Sequence, residues 1–529
     1  MSLRWTAPTD PDATDTEFPR LGAVVDDGTV THTVWAPSAR VVDVMTDDAV
    51  VPMVPGPHGT LRATVAGKHG DRYRFRIDGA AILPDPMARA QPEGVRGPSA
   101  VVDPSTFTWT DASWTGLALG ELVLYELHVG TFTPAGTFDA VRTRLDELRD
   151  LGVTAIELMP VGTFPGRHGW GYDGLYPSAP HPAYGDPEAL AGLVDAAHAA
   201  GLGVVLDVVY NHLGPGAEAI TAFGPYTDPE RATFWGPAIA FQHRGVREWA
   251  IQSAEGWVRD YHVDGLRLDA VHAIVDESRP HIVAELATRV RARCEQALVI
   301  AEMETGDVRP IREWGCDAQW GDELHHAVHV LLTGERDGYY ADYGSVADLA
   351  RQYERADASR LVVSAQNHDQ VGNRAFGDRL RGTKLRLAAF CAILAPGVPL
   401  VFMGEEYDEG NPFLFFADHI DPEIARATRE GRRREFERFT AFADGDVPDP
   451  GAMETFVRAH LHPDRGDPEH REYYRELLAR RRTLPSGPIE TSVDEDARFL
   501  RVRRGDVELL MNFSADEHDG VPPWSGVVR

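Results

Sequence analysis

The sequence predicts an α/β protein built around a (β/α)₈ TIM barrel, with an N-terminal β-sandwich and a small C-terminal β-sheet domain. Three observations lead to this prediction. Near the start of the chain, short runs that alternate apolar and polar residues lie between turn residues. In the middle, apolar strand patterns alternate with amphipathic helical patterns. Near the end, short runs of alternating apolar and polar residues occur again. The chain has 529 residues, which is too many for one hydrophobic core, so two or three domains are expected.

Residues 1–107 form the predicted sandwich domain. Runs such as VTHTVWAPSARVVDVMTD, LRATVAG and DRYRFRIDG alternate apolar and polar residues without a convincing helical pattern. This alternation is typical of a β-sandwich. The stretch ILPDPMARAQPEGVRGPSAVVDP is rich in proline and glycine, and we interpret it as the linker to the next domain.

Residues 108–485 form the predicted barrel domain. Eight apolar strand patterns occur in series, each followed by a helical pattern or a long loop: LVLYELHV, VTAIELMP, VVLDVVYNH, DGLRLDA, LVIAEME, CDAQW, LVVSAQNHD and VPLVFMGEE. Strand and helix alternating in this number predict a closed parallel barrel. Residues 486–529, with RFLRVRRG and VELLMNFS, predict a short antiparallel sheet.

One stretch is apolar enough to raise the question of a membrane span. LAAFCAILAPGVPLVFMG, from Leu387 to Gly404, approaches the ~18 residues that such a span needs. Pro396, Gly397 and Pro399 interrupt it, so we predict a buried helix, a turn and a buried strand. The N-terminal stretch MSLRWTAPTDPDATDTEFPR lacks the apolar segment of a signal peptide, and no leader is expected.

The composition restricts the partner class and the compartment. The apolar fraction of 43% and the charged fraction of 25% are ordinary for a soluble globular protein. A formal net charge of −30 argues against nucleic acid or an anionic membrane as a partner, because both would repel the chain. The three cysteines, Cys294, Cys316 and Cys391, have no metal-ligand or CxxC spacing. We therefore expect a reduced, cytoplasmic location.

Polar groups end several of the predicted strands, and these groups carry the functional signal. In a parallel barrel the carboxyl ends of all strands meet on the face that holds the active site. The strand-end groups are His128, Asp207, Asp269, Glu302, Asp369 and Glu405.

Three of these acids fit a glycoside-cleaving site: Asp269 in GLRLDA, Glu302 in LVIAEME and Asp369 in AQNHDQVGNR. One carboxyl group attacks the anomeric carbon and a second protonates the leaving oxygen, about 5–5.5 Å apart in retaining enzymes. The nucleophile must stay ionised. Arg267 lies two residues before Asp269 and so on the same face of the strand, where its charge would hold Asp269 in that state.

Each group taken alone also has a structural interpretation. Arg267 and Asp269 would then be a buried ion pair at a strand end, and Glu302 a carboxylate at a helix N-terminus. His368 beside Asp369 would be a satisfied polar pair. The joint placement of the three acids after predicted strands four, five and seven favours catalysis.

These residues occur in four short motifs that resemble the α-amylase superfamily of glycoside hydrolases (family 13). The motifs are DVVYNH at 207–212, GLRLDAVH at 265–272, AE at 301–302 and QNHDQ at 366–370. The resemblance implies that Asp269 is the nucleophile, Glu302 the acid/base and Asp369 the transition-state stabiliser. It implies further contacts to substrate from Arg267, which holds the nucleophile, from the stacking Tyr172 and from other residues in and around the motifs: Trp170, Asp207, His212, His272, Asn367, His368, Gln370 and Glu405.

Longer stretches are similar to the trehalose-releasing members of this family, and the similarity covers nearly the whole chain. They are LYELHVGTFTPAGTF, GWGYDGLYPSAPHPAYG, DAQWGDELHHAVHVLLTGERDGYY and NPFLFFADH. The segment after strand six is the most discriminating, since it would line the leaving-group side. It adds four candidate substrate-binding residues: Trp320, Asp322, His325 and His326. Without the resemblance, the two histidines could equally support the fold.

The resemblance implies a retaining hydrolase that cuts the α-1,4 bond beside the terminal trehalose of maltooligosyltrehalose. Related α-1,4-glucans are expected as further substrates, and maltooligosyltrehalose synthase as the functional partner. A glucan branching enzyme, which passes the glycosyl group to a sugar 6-hydroxyl, is the alternative. A non-catalytic carbohydrate-binding protein is a third, but intact Asp269, Glu302 and Asp369 argue against it. Asp207 and Asn211 resemble calcium-site positions of some amylases, yet no companion carboxylate cluster is evident, so no metal and no other cofactor is expected.

Overall fold

A computed structural model describes residues 18–304, 306–436 and 447–529. Residues 1–17, for which no leader is expected, lie outside the described residues. The described chain forms two N-terminal sheets, a closed barrel and a C-terminal sheet.

The N-terminal sheets confirm the predicted antiparallel sandwich. Strand Thr60–Ala66 alternates buried and exposed residues, and so does Arg72–Ile77, which lets each sheet bury one face against the other. The first sheet contains Gly22–Asp26, Thr29–Trp35, Thr60–Ala66 and Val54–Pro55. The second contains Val50–Pro52, Val42–Thr46, Arg72–Ile77 and Ala81–Leu83, with Ser99–Ala100 paired to Arg72–Ile77.

All eight predicted barrel strands are confirmed, and they close into one parallel barrel in which the first strand pairs with the eighth. In chain order they are Leu124–Leu127, Ala155–Leu158, Gly203–Val208, Gly265–Leu268, Leu298–Ala301, Ala318–Trp320, Leu361–Ser364 and Val398–Phe402. Every residue of these strands is buried. Burial on both faces explains why the strands read as continuous apolar runs rather than alternating ones.

Helices cover the outside of the barrel. The helix after the second strand shows how the sequence sets their limits: the Asp186 carboxylate caps its first turn beside Pro187, and Gly201 ends it with φ +83°, which glycine adopts without strain. The longer helices are Pro187–Ala200, Arg244–Tyr261, Ile282–Arg293, Asp322–Thr333, Val346–Glu354, Gly382–Ile393, Pro422–Phe436 and Pro468–Arg481. The shorter ones are Val129–Phe132, Phe138–Arg142, Leu145–Leu151, Glu218–Thr221, Arg309–Arg312, His368–Gly372 and Met453–Arg458.

Two small strand pairs lie in the loops at the carboxyl end of the barrel, and the sequence did not predict either of them. One joins Gly162–Thr163 to Tyr176–Pro180 after the second strand. The other is the hairpin Thr227–Thr233 and Gly236–Ile239 after the third. Both lie in long loops without apolar alternation, which is why periodicity did not indicate them.

The C-terminal sheet is antiparallel, as predicted. Its strands are Ile489–Asp494, Phe499–Arg504, Val507–Asn512 and Ser525–Val528. The apolar stretch 387–404 also folds as predicted: it supplies most of helix Gly382–Ile393 and then the eighth barrel strand. None of the described helices is long and apolar enough to cross a membrane.

Specific polar contacts join the N-terminal part of the chain to the barrel. The Trp249 indole donates a hydrogen bond of 3.0 Å to the Pro86 carbonyl, and Gly245 provides room for the Trp35 ring. After the linker, His198 contacts the Asp111 carboxylate at 3.0 Å and the Asp264 carboxylate at 2.9 Å. The His198 side chain is fully buried, so this bridge fixes the segment that follows the linker against the barrel.

Candidate active site

The three acids predicted to react lie at the carboxyl end of the barrel. Asp269 directly follows the fourth strand, Glu302 directly follows the fifth, and Asp369 lies in the short helix His368–Gly372 after the seventh. Asp269 is buried, and the other two are partly exposed. The three acids therefore lie at the same end of the barrel, where Glu302 and Asp369 are accessible from outside.

The Arg267 guanidinium joins Asp269, Glu302 and Asp207. Its Nη1 atom lies 2.8 Å from Asp269 Oδ1 and 2.7 Å from Asp207 Oδ2, and its Nη2 atom lies 2.9 Å from Glu302 Oε2. Arg267 has 0% exposure, and its guanidinium lies 4.4 Å from the centre of the Trp320 ring. A buried cation of this kind persists only when several anions compensate it. The motif is thus part of a carboxylate cluster rather than an isolated ion pair.

Asn211 fixes the second oxygen of the nucleophile. Its Nδ2 atom donates to Asp269 Oδ2 at 2.6 Å and to the Asp269 carbonyl at 2.8 Å. His212 in turn contacts Asn211 Oδ1 through Nδ1. Since Arg267 holds the other oxygen, both Asp269 oxygens have donors, and donors to a carboxylate favour its ionised form.

The backbone turn after Asp269 positions Glu302. Ala270 has φ +38°, an uncommon conformation for a residue with a side chain, and its N–H donates to Glu302 Oε2 at 2.7 Å. The Val271 N–H donates to the Glu302 carbonyl at 2.9 Å. Among the described residues both contacts of the Glu302 carboxyl group use Oε2, which leaves Oε1 to carry a transferable proton.

Tyr172, Asp207 and His368 form the opposite wall. The Tyr172 hydroxyl lies 2.7 Å from Asp207 Oδ2 and 2.8 Å from His368 Nε2, and the Tyr172 and His368 rings stack with their centres 5.2 Å apart. His368 Nε2 also lies 3.4 Å from Asp369 Oδ2. Burial raises the pKa of Asp207 to about 7, although the charge of Arg267 opposes the shift.

The residues predicted on the leaving-group side lie at the start of helix Asp322–Thr333. Burial, and then the charges of Glu302 and Asp369, raise the pKa of Asp322 to about 7. His325 is tied to the scaffold, with Nδ1 at 2.8 Å from the Ala365 carbonyl and Nε2 at 3.1 Å from the Tyr340 hydroxyl. His326 stacks on Tyr339 at 4.9 Å, and its buried Nδ1 has no partner among the described residues.

Comparison with known proteins places this geometry in a family. The α-amylase catalytic-domain family model matches residues 81–235 and 230–444. A malto-oligosyltrehalose trehalohydrolase from Rhizobium sp. (strain M-11) is 41% identical over 539 aligned residues, covering 91% of this chain and 90% of that protein. The chain belongs to the malto-oligosyltrehalose trehalohydrolases of the α-amylase family.

Two further comparisons bear on the alternatives within this family. A 1,4-alpha-glucan branching enzyme from Bordetella parapertussis is 32% identical over 438 residues, covering 71% of this chain and 59% of that protein. The crystal structure of a Salmonella typhimurium protein assigned to the α-amylases superposes with a TM-score of 0.89 at 35% identity, covering 96% of this chain and 99% of that one. Similarity to the trehalohydrolase is thus both higher and more extensive than similarity to the branching enzyme.

Most of the other residues predicted from the family motifs lie around the same pocket. Trp170 is buried against Phe413 and meets the His368 ring edge-on at 5.7 Å. His272 is exposed, three residues after the nucleophile. Asn367 caps the helix that carries Asp369 by accepting the Gln370 N–H at 2.8 Å.

Glu405 is not brought to the three acids. It follows Gly404, whose φ of +89° turns the chain after the eighth strand. The charged neighbours of Glu405 are Glu406 and Arg379, and burial raises the pKa of its carboxyl group well above the usual range. This position gives no support to the predicted substrate contact.

The structure also adds residues to the site that the motif analysis did not single out for it. Asn211 was noted only as a calcium-site position and binds the nucleophile instead. Trp235, in the hairpin after the third strand, stacks on His212 at 5.2 Å while 45% of its surface stays exposed. Glu126, on the first strand, binds His368. A charged residue inside the apolar run LVLYELHV was the available signal for Glu126.

Proposed function

We propose that this chain is a retaining glycoside hydrolase that cuts the α-1,4-glucosidic bond next to the terminal trehalose of maltooligosyltrehalose and releases free trehalose. The observation that carries the proposal is the Arg267-centred cluster of Asp269 and Glu302 in a chain that resembles trehalohydrolases over about nine tenths of its length. A non-catalytic scaffold would have no use for a buried cation shared by two carboxylates at an open pocket.

The first chemical step joins the sugar to the enzyme. Asp269 Oδ attacks the anomeric carbon of the glucose in the −1 subsite, and the bond from that carbon to the bridging oxygen breaks. Glu302 gives its proton to this oxygen, so trehalose leaves as a neutral sugar. The maltooligosaccharide remains esterified to Asp269.

The second chemical step releases the maltooligosaccharide from Asp269. A water molecule attacks the anomeric carbon from the side that trehalose has vacated, and Glu302, now ionised, accepts the proton of that water. Two inversions at one carbon give a product with the original α-configuration. Asp369 lies at the same end of the barrel, and its negative charge would stabilise the positive charge that develops on the sugar ring in both steps.

The wall residues suit recognition of the −1 glucose. Tyr172 offers an aromatic face, and Asp207, His212 and His368 offer polar atoms to ring hydroxyls. On the leaving-group side the substrate has two glucose rings joined α,α-1,1, which differ in shape from maltose. We assign their binding to Trp320, Asp322, His325 and His326, of which His326 has the unpartnered ring nitrogen.

We also propose a cytoplasmic location and a functional pairing with maltooligosyltrehalose synthase. The three cysteines are unpaired and buried, as expected in a reducing compartment. A hydrolase of this specificity needs an enzyme that converts the reducing end of a maltooligosaccharide into a trehalose unit. The synthase named here supplies that reaction.

Product analysis tests the function directly. Purified protein incubated with maltotriosyltrehalose should yield free trehalose and maltotriose in equal amounts, measured by anion-exchange chromatography. Incubation with amylose should produce no α-1,6 branches. New branches without trehalose release would instead assign the branching reaction, which the same carboxylates support.

A further inference from the structure

Glu126 and His368 form a buried, hydrogen-bonded pair that joins the first barrel strand to the helix after the seventh. Glu126 lies on the first strand and His368 begins the helix after the seventh, and each is only 1% exposed. The Glu126 carboxylate accepts the His368 backbone N–H at 2.9 Å through Oε2, and Oε1 lies 2.5 Å from His368 Nδ1. One carboxylate therefore fixes both the start of the helix that carries Asp369 and the plane of the His368 ring.

The donors and acceptors around the ring determine its protonation. Nδ1 faces a carboxylate oxygen, which only accepts, so Nδ1 must carry a hydrogen. The Tyr172 hydroxyl has a single hydrogen and lies 2.7 Å from Asp207 Oδ2, to which it donates. Its oxygen must then accept from His368 Nε2, 2.8 Å away. Both ring nitrogens thus carry a hydrogen, and the ring is an imidazolium.

We propose that Glu126 is a positioning residue for catalysis that keeps His368 permanently protonated, so that a fixed positive charge lies beside Asp369 throughout the reaction. The proposal rests on the proposed glycoside hydrolysis. Asp369 Oδ2 is 3.4 Å from His368 Nε2, so the ring and the Asp369 carboxyl group are in direct contact. The Nε2–H also points toward the pocket side of the ring, where Tyr172 and Asp369 lie.

The charged groups around His368 agree with this state. Burial alone would lower the pKa of His368, but the charges of Asp369 and Glu126 outweigh it and raise the pKa to about 10. The titratable or charged groups that face the ring from the surrounding elements are Glu126, His128, Glu157, Tyr172, Asp207, Arg267 and Asp369. Three of these four carboxyl groups, those of Glu126, Glu157 and Asp207, lie on elements other than the helix of His368. The wild-type ring should therefore not titrate between pH 5 and 9.

Glu126→Gln tests the charge while preserving the shape of the side chain. The amide oxygen can still accept the backbone N–H, but the amide nitrogen then faces Nδ1 as a donor, which favours a neutral ring protonated only at Nε2. We expect kcat on maltotriosyltrehalose to fall about ten- to hundredfold with little change in KM. The alkaline limb of the kcat–pH profile reports loss of the Glu302 proton. Loss of the positive charge of the ring favours protonated carboxyl groups nearby, so we expect this limb to move to higher pH.

Two variants serve as matched controls. Glu126→Asp keeps the charge and should leave the alkaline limb in place, even if the shorter side chain lowers kcat. Glu157→Gln changes the carboxyl group that pairs with Glu126 in the strand register. Burial raises the pKa of Glu157 well above the usual range and so favours its neutral form, and its amide should leave the profile unchanged. A Glu126→Gln enzyme with an unshifted limb, or with normal kcat, would overturn the proposal.

A second measurement does not depend on activity. Protein labelled with ¹⁵N-histidine should show a low-field Nδ1–H resonance, assigned to His368 by its loss in His368→Gln, that persists from pH 5 to 9. The resonance should disappear in Glu126→Gln and persist in Glu126→Asp. If the resonance behaves this way but no trehalose is released, the proposed substrate is wrong and the Glu126–His368 coupling stands. A wild-type ring that loses its proton within this pH range would refute the coupling itself.

Discussion

Arg267 defines the site at the scale of single residues, because it contacts the nucleophile, the acid/base and Asp207 with one side chain. A buried cation needs anions beside it, because an unpaired charge in a dry environment is costly. The two reacting acids differ in what else they bind. Asp269 accepts from donors on both of its carboxylate oxygens, whereas the contacts of the Glu302 carboxyl group all involve Oε2. This difference agrees with the proposed roles of Asp269 as nucleophile and Glu302 as acid/base.

Asp269→Asn should abolish hydrolysis while preserving binding. The amide is not a nucleophile, and its nitrogen would face donors from Arg267 or Asn211. We expect kcat on maltotriosyltrehalose to fall roughly 10⁴-fold or more, with the dissociation constant, measured by calorimetry, changing little. Turnover near the wild-type level would mean that another group attacks the sugar. Proton NMR of the wild-type reaction should show the released reducing end first as the α-anomer.

Glu302→Gln should distinguish acid catalysis from structural support. Loss of the proton donor should abolish cleavage of the sugar leaving group, which needs protonation. It should largely spare glycosylation by an activated aryl glycoside, whose leaving group departs without a proton. Burst kinetics with the aryl substrate measure this step. Equal losses on both substrates would show that the substitution has damaged the site in another way.

At the scale of elements, we propose that helix Asp322–Thr333 carries the determinants of specificity. The structure distinguishes its two neighbouring histidines. Both hydrogen-bonding atoms of His325 are engaged by the scaffold. The His326 ring stacks on Tyr339 and meets Tyr340 and Tyr343 edge-on, and its Nδ1 has no partner in the described part of the chain. Burial lowers the pKa of His326 to about 4, so at neutral pH it offers an uncharged ring to a sugar.

His326→Ala should therefore narrow the preference for the trehalose-ended substrate. Loss of one hydrogen bond to a sugar hydroxyl is expected to lower kcat/KM for maltotriosyltrehalose roughly tenfold to a hundredfold, and for maltopentaose by less. His325→Ala is the matched control and should lower both values alike. An equal loss on both substrates in His326→Ala would mean that this histidine also serves the scaffold. A wild type that prefers maltopentaose would contradict the trehalohydrolase assignment.

The sequence predicted the secondary-structure elements better than it predicted where the side chains at their ends point. All eight strands and the order of the acids followed from apolar runs ending in polar residues, because burial on both faces leaves that pattern in a parallel barrel. The Glu405 contact was not supported, because the pattern places a residue at a strand end but does not show which way the following turn points it. The Glu126–His368 pair joins positions 242 residues apart, and no local pattern encodes such a contact.

The bridge of His198 to Asp111 and Asp264 operates at the scale of the whole molecule, since it ties the segment that follows the linker to the barrel. Burial would lower the pKa of His198, but the hydrogen bonds to both carboxylates outweigh it and raise the pKa to about 9. A pKa raised by folding adds stability that is fully present below the unfolded value of about 6.5 and is lost as the pH rises through 9. The difference corresponds to about 3 kcal/mol. The boundaries at 107/108 and 485/486 stay predictions.

His198→Gln should remove this pH-dependent stability. At pH 6 the variant should melt well below the wild type, and the gap in Tm should shrink as the pH rises above 9, where the wild type loses the same stabilisation. Differential scanning calorimetry at pH 6, 8 and 10 measures the gap. Domains of a chain this long need not unfold together, so the first transition is the one to compare. A gap that stays constant across this range would show that His198 acts through packing alone.

The guanidinium of Arg267, shared by Asp269 and Glu302, also links the successive steps of the proposed reaction. When Asp269 becomes an ester its negative charge disappears, while Arg267 keeps its own and remains 2.9 Å from Glu302. The local field at Glu302 therefore turns more positive just after it has given up its proton, which favours the carboxylate that the incoming water needs. When water releases the sugar, the Asp269 charge returns and favours a protonated Glu302 again. Chemistry at one acid thus resets the other, and the alternation requires no movement of the backbone.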